Sequence, residues 1–184
     1  MSNYEALRYV DDIPARHRVL RLTWEVVYIL TFRWTPRWAM HGWRRTLLRL
    51  FGAEIGSGSR IAPSAKIWAP WNLKLGEYVA IGDDVYLYAM NKITIGSKVA
   101  ISQESFICAG THDATSLRRP LVTKPIVIED HVWIAARAFV HPGVHIAEGT
   151  IVGACSVVNK SLPAWMICAG TPCVPLKSRV LRDS

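Results

Sequence analysis

From Ile55 to Val158 an aliphatic side chain returns at every sixth position, within five groups of three. The series runs Ile55, Ile61, Ile67; Leu75, Ile81, Leu87; Ile95, Ile101, Ile107; Ile128, Ile134, Val140; Ile146, Val152, Val158. Four residues after most of these the chain carries something small or β-branched: Ser59, Ala65, Val79, Val85, Val99, Ser105, Thr111, Val132, Ala138, Val144, Thr150, Ser156. Trp71, Asn91 and Leu162 break that second rule. A period of six matches neither a helix nor a simple alternating strand. It is the mark of a solenoid in which three hexapeptides make one triangular coil and each coil covers the next. The pattern therefore predicts an all-β coil of short strands over residues 52–163, with successive turns starting at Ile55, Leu75, Ile95, Ile128 and Ile146.

The interruptions are as informative as the repeat. Two-residue insertions precede Gly76 and Gly96, and these glycines, with Gly56 and Gly82, suit tight corners. A larger break separates Ile107 from Ile128, so residues 113–125 leave the coil as a loop. A long loop in a regular solenoid is usually where function resides. It opens on Thr111-His112-Asp113 and closes on Lys124-Pro125.

The flanks differ in character. Residues 1–14 read as a loose polar tail, with no signal-peptide pattern in Met1 to Asp12. Residues 15–34 predict an amphipathic helix, broken at Thr35-Pro36, and residues 37–51 a second helix ending before Gly52. Residues 1–51 are thus a helical extension, and residues 164–184 a C-terminal segment. The formal charge of +8 calls for an anionic partner. Nothing resembles a zinc finger or basic zipper, so nucleic acid is not expected. Many of the arginines, with Trp24, Trp34, Trp38 and Trp43, lie in the extension. Two roles stay open for residues 15–51: a cap over the first coil, and peripheral contact with a membrane. The apolar run Val19 to Trp34 contains Arg21, Glu25 and Arg33, which argues against a membrane span. The four cysteines form no CxxC pair and fit free thiols in a reducing cytoplasm.

The repeat, the Thr111-His112 pair and the ending Asn159-Lys160 … Ala169-Gly170-Thr171-Pro172 resemble the hexapeptide acyltransferases. Trp38…Gly42-Trp43-Arg44-Arg45, Ile67-Trp68…Pro70-Trp71-Asn72-Leu73 and Leu121 to Ile128 resemble, more narrowly, the exopolysaccharide (colanic acid type) O-acetyltransferases. These are relatives of the maltose, galactoside and nodulation-factor enzymes. The resemblance implies a left-handed parallel β-helix, a homotrimer with sites between subunits, and location in the bacterial cytoplasm, at the inner face of the membrane if the acceptor is lipid-linked. Acetyl-coenzyme A is the implied donor, and a hydroxyl of a small-molecule or lipid-linked sugar the acceptor.

His112 is the expected catalytic base, because a neutral imidazole can take the proton of a sugar hydroxyl as it attacks a thioester. Asn91, Ser102 and Asp113 are candidate acceptor contacts. By resemblance, Ala135, Ala136 and Ala154 border the pantetheine groove, and Asn159, Lys160 and Lys177 meet the nucleotide end. Asn159 replaces a Thr, Val174 a basic residue and Arg137 a Gly of the family pattern. Two rival readings are a zinc carbonic anhydrase-like trimer, with His131, His141 and His145 as candidate ligands, and a non-catalytic assembly scaffold. No metal is expected.

Overall fold

A computed structural model describes residues 15–182, so the tail expected over residues 1–14 lies outside the described residues. The hexapeptides form a parallel β-helix with three sheets as its sides. The first side stacks β1 (Glu54–Ile55), β4 (Leu73–Leu75), β7 (Ile93–Ile95), β12 (Ile126–Ile128) and β15 (His145–Ile146). The second stacks β2 (Arg60–Ile61), β5 (Ala80–Ile81), β8 (Ala100–Ile101), β13 (Trp133–Ile134), β16 (Ile151–Val152) and β18 (Met166–Gly170), with β19 (Cys173–Ser178) folded back antiparallel on β18. The third stacks β3 (Lys66–Ile67), β6 (Tyr86–Tyr88), β9 (Phe106–Cys108), β14 (Phe139–Val140) and β17 (Val157–Val158). Because β18 joins β16 in register, Val152 opposite Cys168, the coil continues into residues 164–184.

Register explains the period. Ile55 pairs with Leu75, and Ile61 with Ile81, so each inward side chain sits on its equivalent in the next coil. All fifteen periodic aliphatics are buried. The hydroxyls four residues later are buried too, yet each is satisfied across coils. Ser59 Oγ donates to Gly76 O and accepts from Val79 N, and Ser105 Oγ donates to Ala135 O. An unpaired hydroxyl there would cost roughly 1–3 kcal/mol. Thr111 alone of that series is exposed, because it has left the coil.

The corners use two devices. At Gly56 the requirement is space: a Cβ would lie 2.5 Å from the backbone of Gly76 on the coil above. The left-handed conformation falls instead three residues after the inward aliphatic, on Tyr78, Asp84, Lys98, Glu104, His131, Arg137 and Cys155, with φ between 53° and 60°.

The first coil exposes carbonyl groups at the end of the solenoid, since its amides point up to the second coil. The helices cover that end. α1 (Ala15–Val27) runs on into a π-helical turn (Tyr28–Phe32), and α2 (His41–Leu50) follows. The second helix starts at His41 and not at residue 37. Ala39 N closes a turn on Pro36 O, and Met40 adopts φ 58°, so residues 36–40 cannot continue a helix. Trp24 Nε1 donates to Ile67 O (2.8 Å), Arg45 to Ser59 O (2.9 Å), Arg49 Nε to Ile55 O (3.1 Å) and Tyr28 Oη to Pro63 O (3.3 Å). Trp24, Phe32, Leu47 and Leu48 pack on the same end, all buried. The cap role of the extension is therefore realised, and part of its basic charge is spent on backbone carbonyls.

All four cysteines are free; burial, and then neighbouring Cys173, push the Cys168 thiol up to about 11. The cap yields a stability prediction. Trp24→Ala removes a ring that is 1% exposed and its bond to Ile67 O. Urea unfolding should show a loss of about 3–5 kcal/mol; a loss below about 1 kcal/mol would mean the helices do not hold the coil's end.

Candidate active site

The excursion is a β-hairpin. β10 (Gly110–His112) pairs antiparallel with β11 (Leu121–Thr123), placing His112 opposite Leu121 at the tip end of the stem. It rises from the corner between the third and first sides. The tip turns through Asp113, whose Oδ1 accepts from Thr115 N (2.8 Å) and Thr115 Oγ1 (2.6 Å). Those two bonds hold the Asp113 carboxyl below the usual carboxylate range. Asp113 N donates to Pro120 O (3.0 Å), closing the loop.

This closure sets the histidine's chemistry. His112 Nδ1 lies 2.8 Å from Arg119 O. A carbonyl can only accept, so Nδ1 carries the proton and Nε2 carries the lone pair. The carbonyl of Arg119, and not the Asp113 carboxylate, fixes the ring. A cleft of about 420 Å³ opens at this point, lined by Thr111, His112, Asp113, Val122, Lys124, His141, Pro142 and Asn159. His141 and Asn159 each follow an inward valine of the third side, Val140 and Val158, and these valines are paired in register. Their shared offset stacks them at the same corner as the hairpin. His141 also meets the edge of Phe139, with ring centroids 4.9 Å apart.

The other expected residues are spread over the molecule. Asn91 staples the corner below the hairpin: its Nδ2 donates to Thr123 Oγ1 (3.1 Å) and its Oδ1 accepts from Lys92 N (2.6 Å). Its amide thus does turn-stabilising work. Ser102 accepts from Trp133 Nε1 (3.0 Å) and lines a different cleft, of about 710 Å³, with Arg37, Trp38, His41 and Arg60. Ala135, Ala136 and Ala154 lie at the corner from the second to the third side, away from His112 within one chain. Arg137 beside them has φ 60°, which explains why glycine suits the position, and its Nε bonds Glu104 (2.7 Å). Lys160 is exposed next to Asn159, and Lys177 lies exposed on β19 opposite Ile167. One chain therefore joins His112 and Asn159 in a cleft but leaves the alanine corner apart.

The histidines weighed as ligands stand separately. His145 Nε2 bonds Glu129 (2.7 Å), His131 lies near Trp165, and His141 is in the cleft. Among the described residues no group of three or more His, Cys, Asp or Glu converges where it could hold a metal ion. From the sequence His141 reads as a solvated corner, with a metal ligand as the rival, and not as a neighbour of His112. Its equal offset with Asn159 was the signal that placed it beside His112.

The family model of the bacterial transferase hexapeptide (six repeats) matches residues 125–160. Over 157 residues the chain is 48% identical to WcaF of Escherichia coli (strain K12), provisionally named a colanic acid biosynthesis acetyltransferase, covering 85% of this chain and 86% of that one. The chain belongs to the hexapeptide-repeat acetyltransferases. Among solved structures, a hexapeptide-repeat acetyltransferase of Vibrio cholerae complexed with acetyl-coenzyme A superposes with a TM-score of 0.83 at 26% identity, covering 97% of this chain and 98% of that one. A maltose O-acetyltransferase of Clostridium difficile 630 superposes at 0.77 with 25% identity, covering 91% and 90%. Neither the carbonic anhydrase nor the scaffold reading draws support from these likenesses.

For this enzyme, His112→Ala should leave the coil folded and lower kcat by about 10²–10⁴ with little change in substrate KM. Near-normal kcat at neutral pH would remove His112 from the base role.

Proposed function

We propose that the enzyme transfers the acetyl group of acetyl-coenzyme A to a sugar hydroxyl of an exopolysaccharide precursor. The observation that carries this is His112 at the edge of a cleft, its Nδ1 held by the Arg119 carbonyl so that Nε2 is the ring atom suited to act as base. The acceptor O–H gives its proton to Nε2 as its oxygen attacks the thioester carbonyl. The carbon–sulfur bond then breaks, and the imidazolium returns the proton to the departing thiolate. The likeness to an acetyl-coenzyme A complex supports the donor, and the WcaF likeness supports the acceptor class.

In this reading the enzyme is a homotrimer. A threefold axis brings the alanine corner of one subunit to the His112 corner of the next. Pantetheine runs between Ala135, Ala136 and Ala154 on one side and His112 on the other. Asn159, Lys160 and Lys177 meet the nucleotide phosphates, with lysine acting as a mobile point charge. Asn91 and Asp113 shape the acceptor end through the hairpin, and Ser102 reaches it from a neighbour. The enzyme works in the bacterial cytoplasm on a small-molecule or lipid-linked sugar, at the inner face of the membrane where the acceptor is carried by a lipid.

The reading is tested by thiol release from acetyl-coenzyme A with a panel of sugar acceptors, and by Lys160→Glu. That variant should raise the KM for acetyl-coenzyme A by roughly tenfold or more at low salt and far less at high salt, leaving the acceptor KM nearly unchanged. An unchanged acetyl-coenzyme A KM at low salt would take Lys160 out of the donor site.

A further inference from the structure

The helical cap has two faces, and the coil uses only one. Trp24, Tyr28 and Phe32 turn inward onto the first coil and onto each other. The outer face of the same segment carries Val19, Leu22, Val26, Ile29 and Leu30, 53–69% exposed. Their spacing of three, four, three and one residues aligns them on one stripe of a helix. Trp34, 78% exposed, and Trp38, 85% exposed, continue the apolar surface past the helix end. Trp43 Nε1 donates to Thr31 O (3.1 Å), tying the start of α2 to this segment. A contiguous exposed stripe of this kind marks an interaction surface.

Charge identifies the partner. Residues 15–51 hold eight arginines and one carboxylate, Glu25, and that carboxylate is bonded to Arg21 at 2.7 Å. Arg45 and Arg49 are occupied at first-coil carbonyls, and Arg44 is buried. Arg16 precedes the stripe by three residues and Arg33 follows it by three, both exposed to solvent. A second copy docked here would set arginine against arginine. An anionic bilayer offers hydrocarbon to the stripe, an interface for the indoles and phosphates for the guanidinium groups. Among the described residues no helix is long and apolar enough to cross a membrane, so a contact made by these helices lies in the plane of the interface.

We infer that the outer stripe of α1, with Trp34 and Trp38, is a docking face for an anionic lipid surface. The inference rests on the reading of a lipid-carried acceptor and gives it a location. Trp38 also lines the 710 Å³ cleft with Arg37, His41 and Arg60, so the docking face ends at the mouth of a basic cleft.

The test is flotation of the full chain with vesicles of phosphatidylcholine alone, or phosphatidylcholine with phosphatidylglycerol, at low and high salt. The chain should float with the anionic vesicles, less so at high salt, and hardly at all with the neutral ones. The triple variant Leu22→Ser, Ile29→Ser, Trp34→Ser should lower partitioning by more than about tenfold, keep its sedimentation size, and keep thiol release with a soluble sugar. Arg16→Glu with Arg33→Glu should abolish the salt-sensitive part without touching the apolar stripe. Val180→Ser, an exposed apolar change near the other end of the coil, should leave binding unaltered. A wild-type chain that ignores both vesicles overturns the inference, as does a triple variant that floats normally. A triple variant that changes size shows the stripe to be an interface between copies, and also overturns it. Loss of flotation with intact thiol release leaves acetyl transfer standing, and loss of thiol release with intact flotation removes acetyl transfer alone.

Discussion

Every coil rests its inward aliphatic on that of the coil before, and its amides on the carbonyls of the coil after. That single register, Ile55 on Leu75 and onward to Val158, builds the core, because a strand of two or three residues has no stability of its own. It also creates the fold's main liability: the first coil is left with a ring of outward carbonyls. The helical extension answers with side-chain donors on all three sides, from Trp24, Arg45 and Arg49, while its aromatic residues cover the apolar opening.

The same register positions the chemistry. Residues at equal offsets from the inward aliphatic stack in columns, so His141 and Asn159 line up at one corner without needing any loop to place them. His112 reaches that column only because the chain abandons the register there and returns through an antiparallel hairpin. A short antiparallel stem is closed by its own tip, and the Arg119 carbonyl made available by that closure selects the histidine tautomer. The proposed base thus stands where hexapeptide order is most deeply broken, in the excursion between Ile107 and Ile128.

The coil, its start and the His112 excursion were legible because burial imposes a strict period on side-chain type; its end was not, since β18 carries the stack past residue 163 outside the six-residue period. Conformation at the corners was not legible, since Tyr78, Lys98 and Cys155 give no hint that they adopt positive φ. Gly56 pointed to a real constraint, and close approach to Gly76 turned out to be its cause. α2 starts at His41, a few residues later than its sequence pattern predicts, because a left-handed Met40 carries no compositional mark. The roles of Asn91 and Asp113 depend on partners in β11 and in the hairpin tip, Thr123 and Thr115. The tryptophan and arginine content of the extension suggested either a cap or a lipid contact; only the packing separates the residues that serve the coil from those that face outward.

The central claim is that a working site is assembled from two chains, the His112 corner of one and the alanine corner of the next. Mixing protomers of two inactive variants tests it most directly. His112→Ala lacks the base, and Ala136→Trp blocks the groove; each alone should form a dead trimer. When the two are unfolded together and refolded in equal amounts, junctions that combine an intact His112 with an intact Ala136 should restore roughly a quarter of the wild-type rate. If both corners belong to a site within one chain, no mixture recovers activity, and that result would contradict the account.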